Sequence, residues 1–580
     1  MILKFTKHHQ ITLRFLFVLV LLSACSTDPV ASPQNTMEPI TKSGSPTQTE
    51  IQPVPSITPS ASPVELFLDE VLPSDIFTQG EPGGIILSDN PDSPLWFGLV
   101  EKAPERVPLV TSTWVYALAA PFSTLTDNVS LQDLQRFWRG HSSDPFETVT
   151  KLYVPENLKA LLDDHWLPGS STTVETYQEM PEIEAVWEDN AWAIIPFHEL
   201  DPGLKVISID NHSPLNSSFD ETDYSLAFTF QLFQTQDTPD AVSDDTLREL
   251  TGATQTTNRD PEKMTTLVMT GVTALVRATA HKMETKGILY PGEAIQSWLS
   301  EADLTHISNE VSFYEDCPFP NPNSRWLLFC SDPKYIDLFE YIGADIIELT
   351  GNHNNDALYV WGKDVVPFTL DLYEQKGMQF YGGGRDIQSA KSPLIITHNG
   401  NQIAFIGCNA PGPDFAWATE EQGGAAPCGD FQWMTAEISR LRAEGILPIA
   451  TLQYYEDYYN FAESHHIKDF GRLAEAGAVI VNGSQAHRPK AMAFSYGAYI
   501  DYGLGNLFFD QMGIIDDYGN QILQTRWEKI QRHTFYDGKH LSTELLTAIL
   551  KDYAQPRPMT ENERQIFLEE IFSASGWGPE

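Results

Sequence analysis

Four clusters of polar residues that could do metal or acid–base chemistry follow apolar runs in the second half of the chain. The sharpest is residues 350–356 (TGNHNND), where the Asn352 amide and the His353 imidazole could hold a divalent cation. The others are residues 308–310 (SNE), 453–458 (QYYEDY) and 482–488 (NGSQAHR). Carboxylates, imidazoles and amides grouped in this way can bind a metal ion or transfer protons.

Each of these residues also has a simpler explanation. Asn and His in a turn often hydrogen-bond to the local backbone. Glu310 could cap a helix, and Arg488 could bind an anion or pair with one of the many acids. The adjacent pair His465 and His466 lies in a predicted helix, where we expect both side chains on the solvated surface.

The clusters need strands to position them, and residues 265–510 alternate apolar strands with amphipathic helices. We predict strands at the five apolar runs 266–270, 346–349, 403–407, 448–452 and 478–481. This alternation is typical of an α/β fold. In open α/β sheets ligands bind at the carboxyl ends of the strands, where most of these polar clusters fall.

The order and spacing of the clusters resemble the capsule-synthesis CapA family, whose named members take part in poly-γ-glutamate capsule production. Residues 350–356 resemble the family's Asn-Asn-His-x-x-Asp, and residues 501–510 (DYGLGNLFFD) its Tyr-Ser-Leu-Gly-Asn-Phe-x-Phe ending. Residues 302–310 resemble its Ala-Asp-Leu…Glu segment, and Arg277 an Arg after its first strand. The resemblance implies a metallophosphatase-like four-layer α/β/β/α sandwich over residues 265–515, with metal ligands on the loops after the strands.

Several positions depart from the family pattern. The family's Gly-Asp after the first strand is Gly271-Val272 here, so a carboxylate ligand is missing. Gln453 and Gln485 each replace a His, and Asp457 replaces a Glu. A two-metal hydrolytic centre needs anionic and imidazole ligands to hold both ions. We therefore expect at most one loosely held divalent cation, or none.

The residues and the resemblance together yield three sets of candidates. The candidate catalytic residues are Glu310, His353, Asp356 and Asp457. The candidate substrate-binding residues are Arg277, Asn352, Gln453, Gln485 and Arg488. The candidate metal ligands are His353, Asn352, His487 and Glu310.

Residues 65–250 resemble part of a type II periplasmic solute-binding protein and predict a smaller α/β domain. The resemblance rests on residues 121–140 (PFSTLTDNVSLQDLQRFWRG), in which Ser130 would cap a helix, with Asp133 three residues later. The region is short for a complete two-lobed binder, so we favour a structural module over a ligand-transporting one.

We predict a linker at residues 251–264 and a C-terminal extension at residues 516–580, packed on the CapA-like domain. In the extension, Asp537-Gly538 predicts a hairpin turn. Residues 561–572 predict a helix capped by Thr560 with Glu563 three residues on.

The first 64 residues have the layout of an export signal followed by a tether. Residues 1–24 combine Lys4, Lys7 and Arg14 with the apolar run 15–22, as in a signal peptide. Residues 22–25 (LSAC) resemble a bacterial lipobox, which implies lipidation of Cys25; the alternative is an ordinary signal with a stray Cys. Ser, Thr and Pro make up 21 of the 39 residues 26–64, so we predict that residues 25–64 form a disordered stalk.

The mature body keeps four cysteines, Cys317, Cys330, Cys408 and Cys428. An even number in an exported chain suggests disulfides, and four cysteines allow three pairings. We expect the local pairing, Cys317 with Cys330 and Cys408 with Cys428, because each pair brackets a Pro- or Gly-rich loop.

Charge excludes two classes of partner. The chain has 36 Lys and Arg against 79 Asp and Glu, a formal net charge of -43. Nucleic acid and anionic membrane surfaces both attract basic proteins, so contact with the membrane is expected through the lipid anchor alone. The expected partners are an extracellular polymer or a small anionic ligand, and subunits of a capsule synthase.

Three classes of function stay open. The leading hypothesis is an extracytoplasmic, lipid-anchored protein that takes part in synthesis, export or anchoring of a capsule polymer of the poly-γ-glutamate type. The alternatives are a metal-dependent hydrolase of phosphoester or amide bonds and a non-catalytic protein that binds a ligand or polymer. Because several expected metal ligands are replaced, the sequence leaves open whether the chain is an enzyme.

Overall fold

The computed structural model describes residues 63–78, 84–102, 107–234, 242–325, 328–516 and 518–578. The predicted signal peptide, the predicted lipidation site Cys25 and nearly all of the predicted stalk lie outside the described residues. Among the helices that the structure describes, none combines the length and the apolar character needed to cross a bilayer.

The first body, residues 63–253, is a mixed α/β unit built on a ten-stranded sheet, as predicted for this region. Its strands are β1 (Val64–Leu68), β2 (Ile85–Ser88), β3 (Leu95–Leu99), β4 (Val110–Pro121), β5 (Asn128–Val129), β6 (Leu152–Pro155), β7 (Val174–Tyr177), β8 (Trp192–Pro196), β9 (Leu204–Ile209) and β10 (Ala227–Gln234). Its helices are α1 (Leu131–Trp138), α2 (Glu156–Trp166), α3 (Ile183–Glu188) and α4 (Asp244–Ala253). The long strand β4 ties the sheet together, because it pairs with β8, β9 and β10.

Helix α1 begins as its sequence predicts. The Ser130 hydroxyl accepts from the Asp133 amide at 3.1 Å and donates to the Asp133 carboxylate at 2.6 Å. This cap satisfies an amide that the helix cannot bond internally. The opposite face buries Leu134, Phe137 and Trp138 in the core of the first body.

Residues 251–264, which we predicted as a linker, connect the two bodies and are ordered. The amide group of Asn258 is buried, and it accepts from the Val115 N–H at 2.7 Å and donates to the Val115 carbonyl at 2.9 Å. The buried Arg259 guanidinium donates to the Pro214 carbonyl at 2.6 Å. The polar side chains of this segment therefore complete hydrogen bonds of the first body.

The second body, residues 264–578, contains two large sheets. Its strands are β11 (Met264–Thr273), β12 (Leu304–Asn309), β13 (Ile346–Glu348), β14 (Gln379–Tyr381), β15 (Gly383–Gly384), β16 (Leu394–His398), β17 (Asn401–Asn409), β18 (Gly424–Ala425), β19 (Leu447–Gln453), β20 (Ile480–Ser484), β21 (Met492–Ser495), β22 (Ala498–Asp501), β23 (Ile514–Ile515), β24 (Gln521–Ile522), β25 (Trp527–Tyr536), β26 (Lys539–Lys551) and β27 (Gln555–Pro558). Each of the five strands predicted from the sequence overlaps an observed one, namely β11, β13, β17, β19 or β20.

The helices of the second body are α5 (Arg277–Lys286), α6 (Gln296–Ser300), α7 (Ile336–Tyr341), α8 (Asp356–Trp361), α9 (Val366–Gln375), α10 (Ile387–Lys391), α11 (Gln432–Ala443), α12 (Ser464–Glu475) and α13 (Glu561–Ala574). The first sheet has the strand order β14-β13-β12-β11-β25-β26-β27, and the second β16-β17-β19-β20-β22-β21.

The two sheets pack face to face through one apolar layer, and helices cover both outer faces. The layer between them joins residues of β11 and β13, such as Leu267 and Ile346, to residues of β17 and β19, such as Phe405 and Ile449. A second apolar layer packs α5, α6, α7 and α9 on the first sheet, and a third packs α11 and α12 on the second. This is the predicted α/β/β/α sandwich.

The C-terminal residues complete the first sheet as well as covering it. Strand β25 pairs antiparallel with β11, and β25 and β26 form the predicted hairpin, with Asp537 and Gly538 at positive φ in its turn. Helix α13 starts at the predicted capping box, in which Thr560 and Glu563 satisfy each other's backbone amides. The segment that we predicted as an extension thus supplies three of the seven strands.

The segment after β4 in the first body contacts α13 and β21 of the second body. Arg564 on α13 donates to both carboxylate oxygens of Asp127, at 2.8 and 2.9 Å. Burial disfavours the charged carboxylate, but the hydrogen bond from Arg564 and the charge of Lys205 lower the pKa of Asp127 to about 2. The ring of Phe122 packs on Phe494, with ring centroids 5.2 Å apart.

Both disulfides follow the predicted local pairing. Cys317 is bonded to Cys330, and Cys408 is bonded to Cys428. The first bond closes a loop beside α5, and the second lies in the core under α11.

Candidate functional site

The four predicted polar clusters lie where parallel strands of the two sheets end. β11, β12 and β13 run parallel in one sheet, and β17, β19 and β20 run parallel in the other. Two hydrogen bonds cross between the sheets at these ends. The Asn409 amide donates to the Thr350 carbonyl at 2.8 Å, and the Gln453 amide donates to Asn352 Oδ1 at 3.1 Å.

Three amide side chains, Asn352, Gln453 and Gln485, form a hydrogen-bonded group that we call the amide cluster. Gln453 Nε2 donates to Asn352 Oδ1 and to Gln485 Oε1. The orientation of the Gln453 amide is set by the Ser484 hydroxyl, which donates to Gln453 Oε1 at 2.9 Å. Gln485 has a backbone φ of 78°, which a non-glycine residue rarely adopts. Asn352 Oδ1 and Gln485 Oε1 thus each already accept a hydrogen bond from Gln453.

His353 is held by Asp356, three residues later. His353 Nδ1 lies 2.6 Å from Asp356 Oδ2, which also accepts from the Phe329 N–H at 2.7 Å. Burial disfavours the imidazolium, but the hydrogen bond to Asp356 and the charge of Glu310 outweigh it and raise the pKa of His353. Because Nδ1 donates to Asp356, the neutral ring has its lone pair on Nε2.

His487 is oriented in the same way by an amide. Its Nδ1 lies 2.9 Å from Asn506 Oδ1, and Asn506 Nδ2 donates to the carbonyls of His487 and Thr525, each at 3.2 Å. Those two bonds fix which end of the amide faces the ring, so His487 also keeps its lone pair on Nε2. The ring stacks on Phe509, with ring centroids 5.0 Å apart.

Glu310 is a buried acid next to both imidazoles. It is 2% exposed, and its Oε2 atom has no hydrogen-bond partner. Burial raises the pKa of Glu310, and the charges of His353 and His487 oppose that rise. A Cβ atom at Gly351 would lie 2.3 Å from the Glu310 Cα atom, so the backbones of the two clusters pass each other too closely for a larger residue.

A comparison with protein families finds a match in this part of the chain. Residues 266–511 match the family model described as "Bacterial capsule synthesis protein PGA_cap". The second body is therefore similar to the capsule-synthesis CapA family, as its polar clusters predict. The chain is 21% identical over 259 residues to the "Capsule biosynthesis protein CapA" of Bacillus anthracis. The alignment spans 44% of this chain and 62% of that relative.

Solved structures that are similar to the chain share little sequence with it. A putative 5'-nucleotidase from Staphylococcus aureus in complex with alpha-ketoglutarate aligns over 53% of this chain and 58% of its own, with 11% identity and a TM-score of 0.30. An ABC-type phosphate transport receptor from Vibrio cholerae aligns over 28% of this chain and 72% of its own, with 11% identity and a TM-score of 0.23.

In the CapA-like domain, the side chains present do not fit a two-metal centre. Val272, where the family has an Asp, offers no ligand atom, and β11 keeps Gly271 because a Cβ there would lie 2.2 Å from the Gly505 carbonyl oxygen. Among the described residues, two groups bring three His, Cys, Asp or Glu ligand atoms within 4.8 Å of one another. Neither group contains Glu310, His353 or His487.

Three of the predicted charged residues of the CapA-like domain, Arg277, Arg488 and Asp457, have partners of opposite charge. Arg277 pairs with Asp510, and Arg488 with Glu570 on α13. Asp457 accepts from the fully buried Lys490 at 2.7 and 2.8 Å. Arg277 also borders a cavity of about 530 Å³ beside the Cys317–Cys330 loop. These charges are therefore balanced before any ligand arrives.

The predicted exposure of the adjacent histidines is wrong for His466. His465 is half-buried, but His466 is 1% exposed, because the start of α12 turns it toward the ring of Tyr454 and the Asp457 carboxylate. We did not select Lys490 or Asn506 from the sequence as site residues. Asn506 could have been found, because it lies in the Gly-Asn step of the family ending. Lys490 carries no local signal, since its partner Asp457 is 33 residues away.

Proposed function

We propose that this protein is an extracytoplasmic, lipid-anchored member of the capsule-synthesis family that acts by binding an extracellular polymer rather than by hydrolysing it. The observation that carries the proposal is the amide cluster. It puts two neutral amides, Gln453 and Gln485, where the family has imidazoles that a metallohydrolase needs, and Gln453 also bonds to the oxygen of Asn352.

The site formed by Glu310, His353, His487 and the amide cluster, which we call the pocket, keeps groups that suit recognition of a polar ligand. When neutral, the His353 and His487 rings each have an Nε2 lone pair, which can accept from a hydroxyl or amide of the ligand. Glu310 lies beside them, and its Oε2 atom, which has no partner in the chain, can bond to the same ligand. Donors and acceptors fixed by neighbouring side chains favour a ligand of matching shape.

The charge of the chain limits which polymer it can bind directly. A polyanion such as poly-γ-glutamate is repelled by a net charge of -43, and the pocket arginines Arg277 and Arg488 are already paired with acids. A polyanion would therefore bind together with cations, whereas a neutral polar polymer would not need them.

The test uses cells that make the polymer and the full-length chain. Deleting the gene should lower the polymer held at the cell surface, and the wild-type chain should restore it. The Gln453→Ala variant should fail to restore it, because the amide cluster loses its central donor. The exposed Glu420→Gln serves as the matched control. Unchanged surface polymer after deletion would contradict a role in capsule formation.

A hydrolase would give a different result. The purified full-length chain in detergent should not cleave a phosphoester or the polymer when Mn²⁺ or Zn²⁺ is added. Metal-dependent turnover that His353→Ala abolishes would contradict binding without hydrolysis and favour the metal-dependent alternative.

The anchor is tested separately, at the leader. Cys25→Ala should shift the protein from the membrane fraction to the soluble fraction of the cell envelope. If the variant stays in the membrane fraction, the lipid anchor is wrong, whatever the pocket does.

A further inference from the structure

The start of helix α12 gathers three metal-ligating side chains outside the pocket. One ligand atom from each of Glu463, His465 and His466 lies within 4.8 Å of the other two. Glu463 is the residue before the helix, yet its carboxylate bonds none of the helix amides. Instead it faces His465, with 3.7 Å between Glu463 Oε2 and His465 Nε2.

His466 supplies an independent observation that points to a ligand. Its ring is 1% exposed, and its Nδ1 atom has no hydrogen-bond partner. The other ring nitrogen, Nε2, lies 3.5 Å from Asp457 Oδ2. His466 Nδ1 is therefore a buried ring nitrogen that no other group of the described chain uses.

Asp457 is fixed in place behind the His466 ring, because its carboxylate accepts from Lys490 at 2.7 and 2.8 Å. A carboxylate behind a ligating imidazole is the usual arrangement that orients histidines in metal sites.

We propose that Glu463, His465 and His466 form a binding site for a divalent metal ion of the zinc class, oriented by Asp457. Two imidazoles and one carboxylate are the ligand types that zinc takes in sites with one position left open. The ion joins the helix start to the loop that follows Gln453, since Asp457 belongs to that loop. The proposal does not depend on what the pocket binds.

The second histidine-containing group in the described part of the chain lacks a free lone pair. In that group of Asp75, His198 and Glu199, the Asn258 amide donates to His198 Nδ1 at 3.3 Å. The direction of that bond is fixed, because Asn258 Oδ1 accepts from the Val115 N–H. The proton of His198 is therefore on Nε2, which donates to Asp75 at 2.7 Å. This contrast singles out the α12 site.

The test is a calorimetric titration of the metal-free, full-length chain in detergent with ZnCl₂. We expect one zinc ion per chain at this site. His465→Ala removes a half-buried ligand, so the fold should persist while the affinity falls by at least about 100-fold, the upper end of the cost of losing an outer-shell partner. Glu463→Gln should weaken binding less, because an amide oxygen is the poorer ligand.

Two further variants locate the ion. His141→Ala, an exposed histidine of the first body, and His353→Ala in the pocket should both bind zinc as the wild-type chain does. Co²⁺ in place of Zn²⁺ should give visible absorption bands that His465→Ala removes. The proposal is overturned if no zinc binds, if His465→Ala binds it as tightly as wild type, or if His353→Ala is the variant that loses it.

Discussion

Glu528 on β25 is a buried acid whose replacement should make the protein more stable. The residue is fully buried, and neither oxygen of its carboxyl group has a hydrogen-bond partner. Burial raises the pKa of Glu528 well above its ordinary value of 4.5. Its backbone bridges to Gly505, the residue before the Asn506 that holds His487, so the acid lies directly behind the pocket.

The sign of the pH effect follows from the raised pKa. The folded chain holds the Glu528 proton more tightly than the unfolded chain, so this group favours the folded state most below pH 4.5. Above that pH, the free energy of unfolding of wild type falls by about 1.4 kcal/mol per pH unit relative to a variant without the acid. The fall ends when the pH passes the pKa of Glu528 in the folded state. Glu528→Gln keeps the shape and removes the titration.

Urea unfolding of the two proteins measures the difference directly. Near neutral pH, Glu528→Gln should have a free energy of unfolding higher than wild type by up to about 3 kcal/mol, which is about 1.4 kcal/mol for each of the roughly 2.5 pH units above 4.5. Near pH 4 the difference should shrink toward zero. The exposed Glu420→Gln should match wild type at both pH values. A Glu528→Gln variant less stable than wild type at neutral pH would refute the reasoning, because it would show a partner for the carboxylate.

Three other substitutions have expected outcomes. The Asp501 carboxylate is buried 2.7 Å from the Lys529 ammonium, and Lys529→Met leaves it without that partner. Urea unfolding should show a loss of about 3–5 kcal/mol in the free energy of unfolding, which Asp501→Asn in the same chain should partly restore. Gly351→Ala places a Cβ atom 2.3 Å from Glu310 Cα and should cost about 1–3 kcal/mol, measured as a lower urea midpoint; an unchanged midpoint would show that the backbone can move. Asp127→Asn removes a carboxylate whose pKa is lowered to about 2. Because solvent screens this half-exposed ion pair, the variant should lose at most about 1 kcal/mol of unfolding free energy above pH 3.8, and the loss should vanish as the pH falls through 2. A loss that persists in acid would contradict the ion pair.

Much of the fold of both bodies could be predicted from local sequence patterns. The strands that end at the polar clusters were visible because a buried strand needs a continuous apolar run. The caps at Ser130 and Thr560 and the Asp537-Gly538 turn were visible because their partners lie within three residues. The two disulfides followed local bracketing in the same way.

The sequence by itself determined the polar clusters after the strands, because they lie in short stretches of the chain, and its resemblance to the CapA family implied the sandwich and the missing carboxylate at Val272. Only the tertiary structure decided what those clusters do to each other. Gln453 meets Asn352 from 101 residues away, and Arg488 meets Glu570 from 82 residues away. A side chain's partner sets its proton position and its charge, and packing chooses partners by proximity in space. Tertiary packing therefore joins Asn352, Gln453 and Gln485 into one hydrogen-bonded group of neutral side chains. It also buries His466, with Nδ1 left without a partner, on a helix whose histidines the sequence predicted to face solvent.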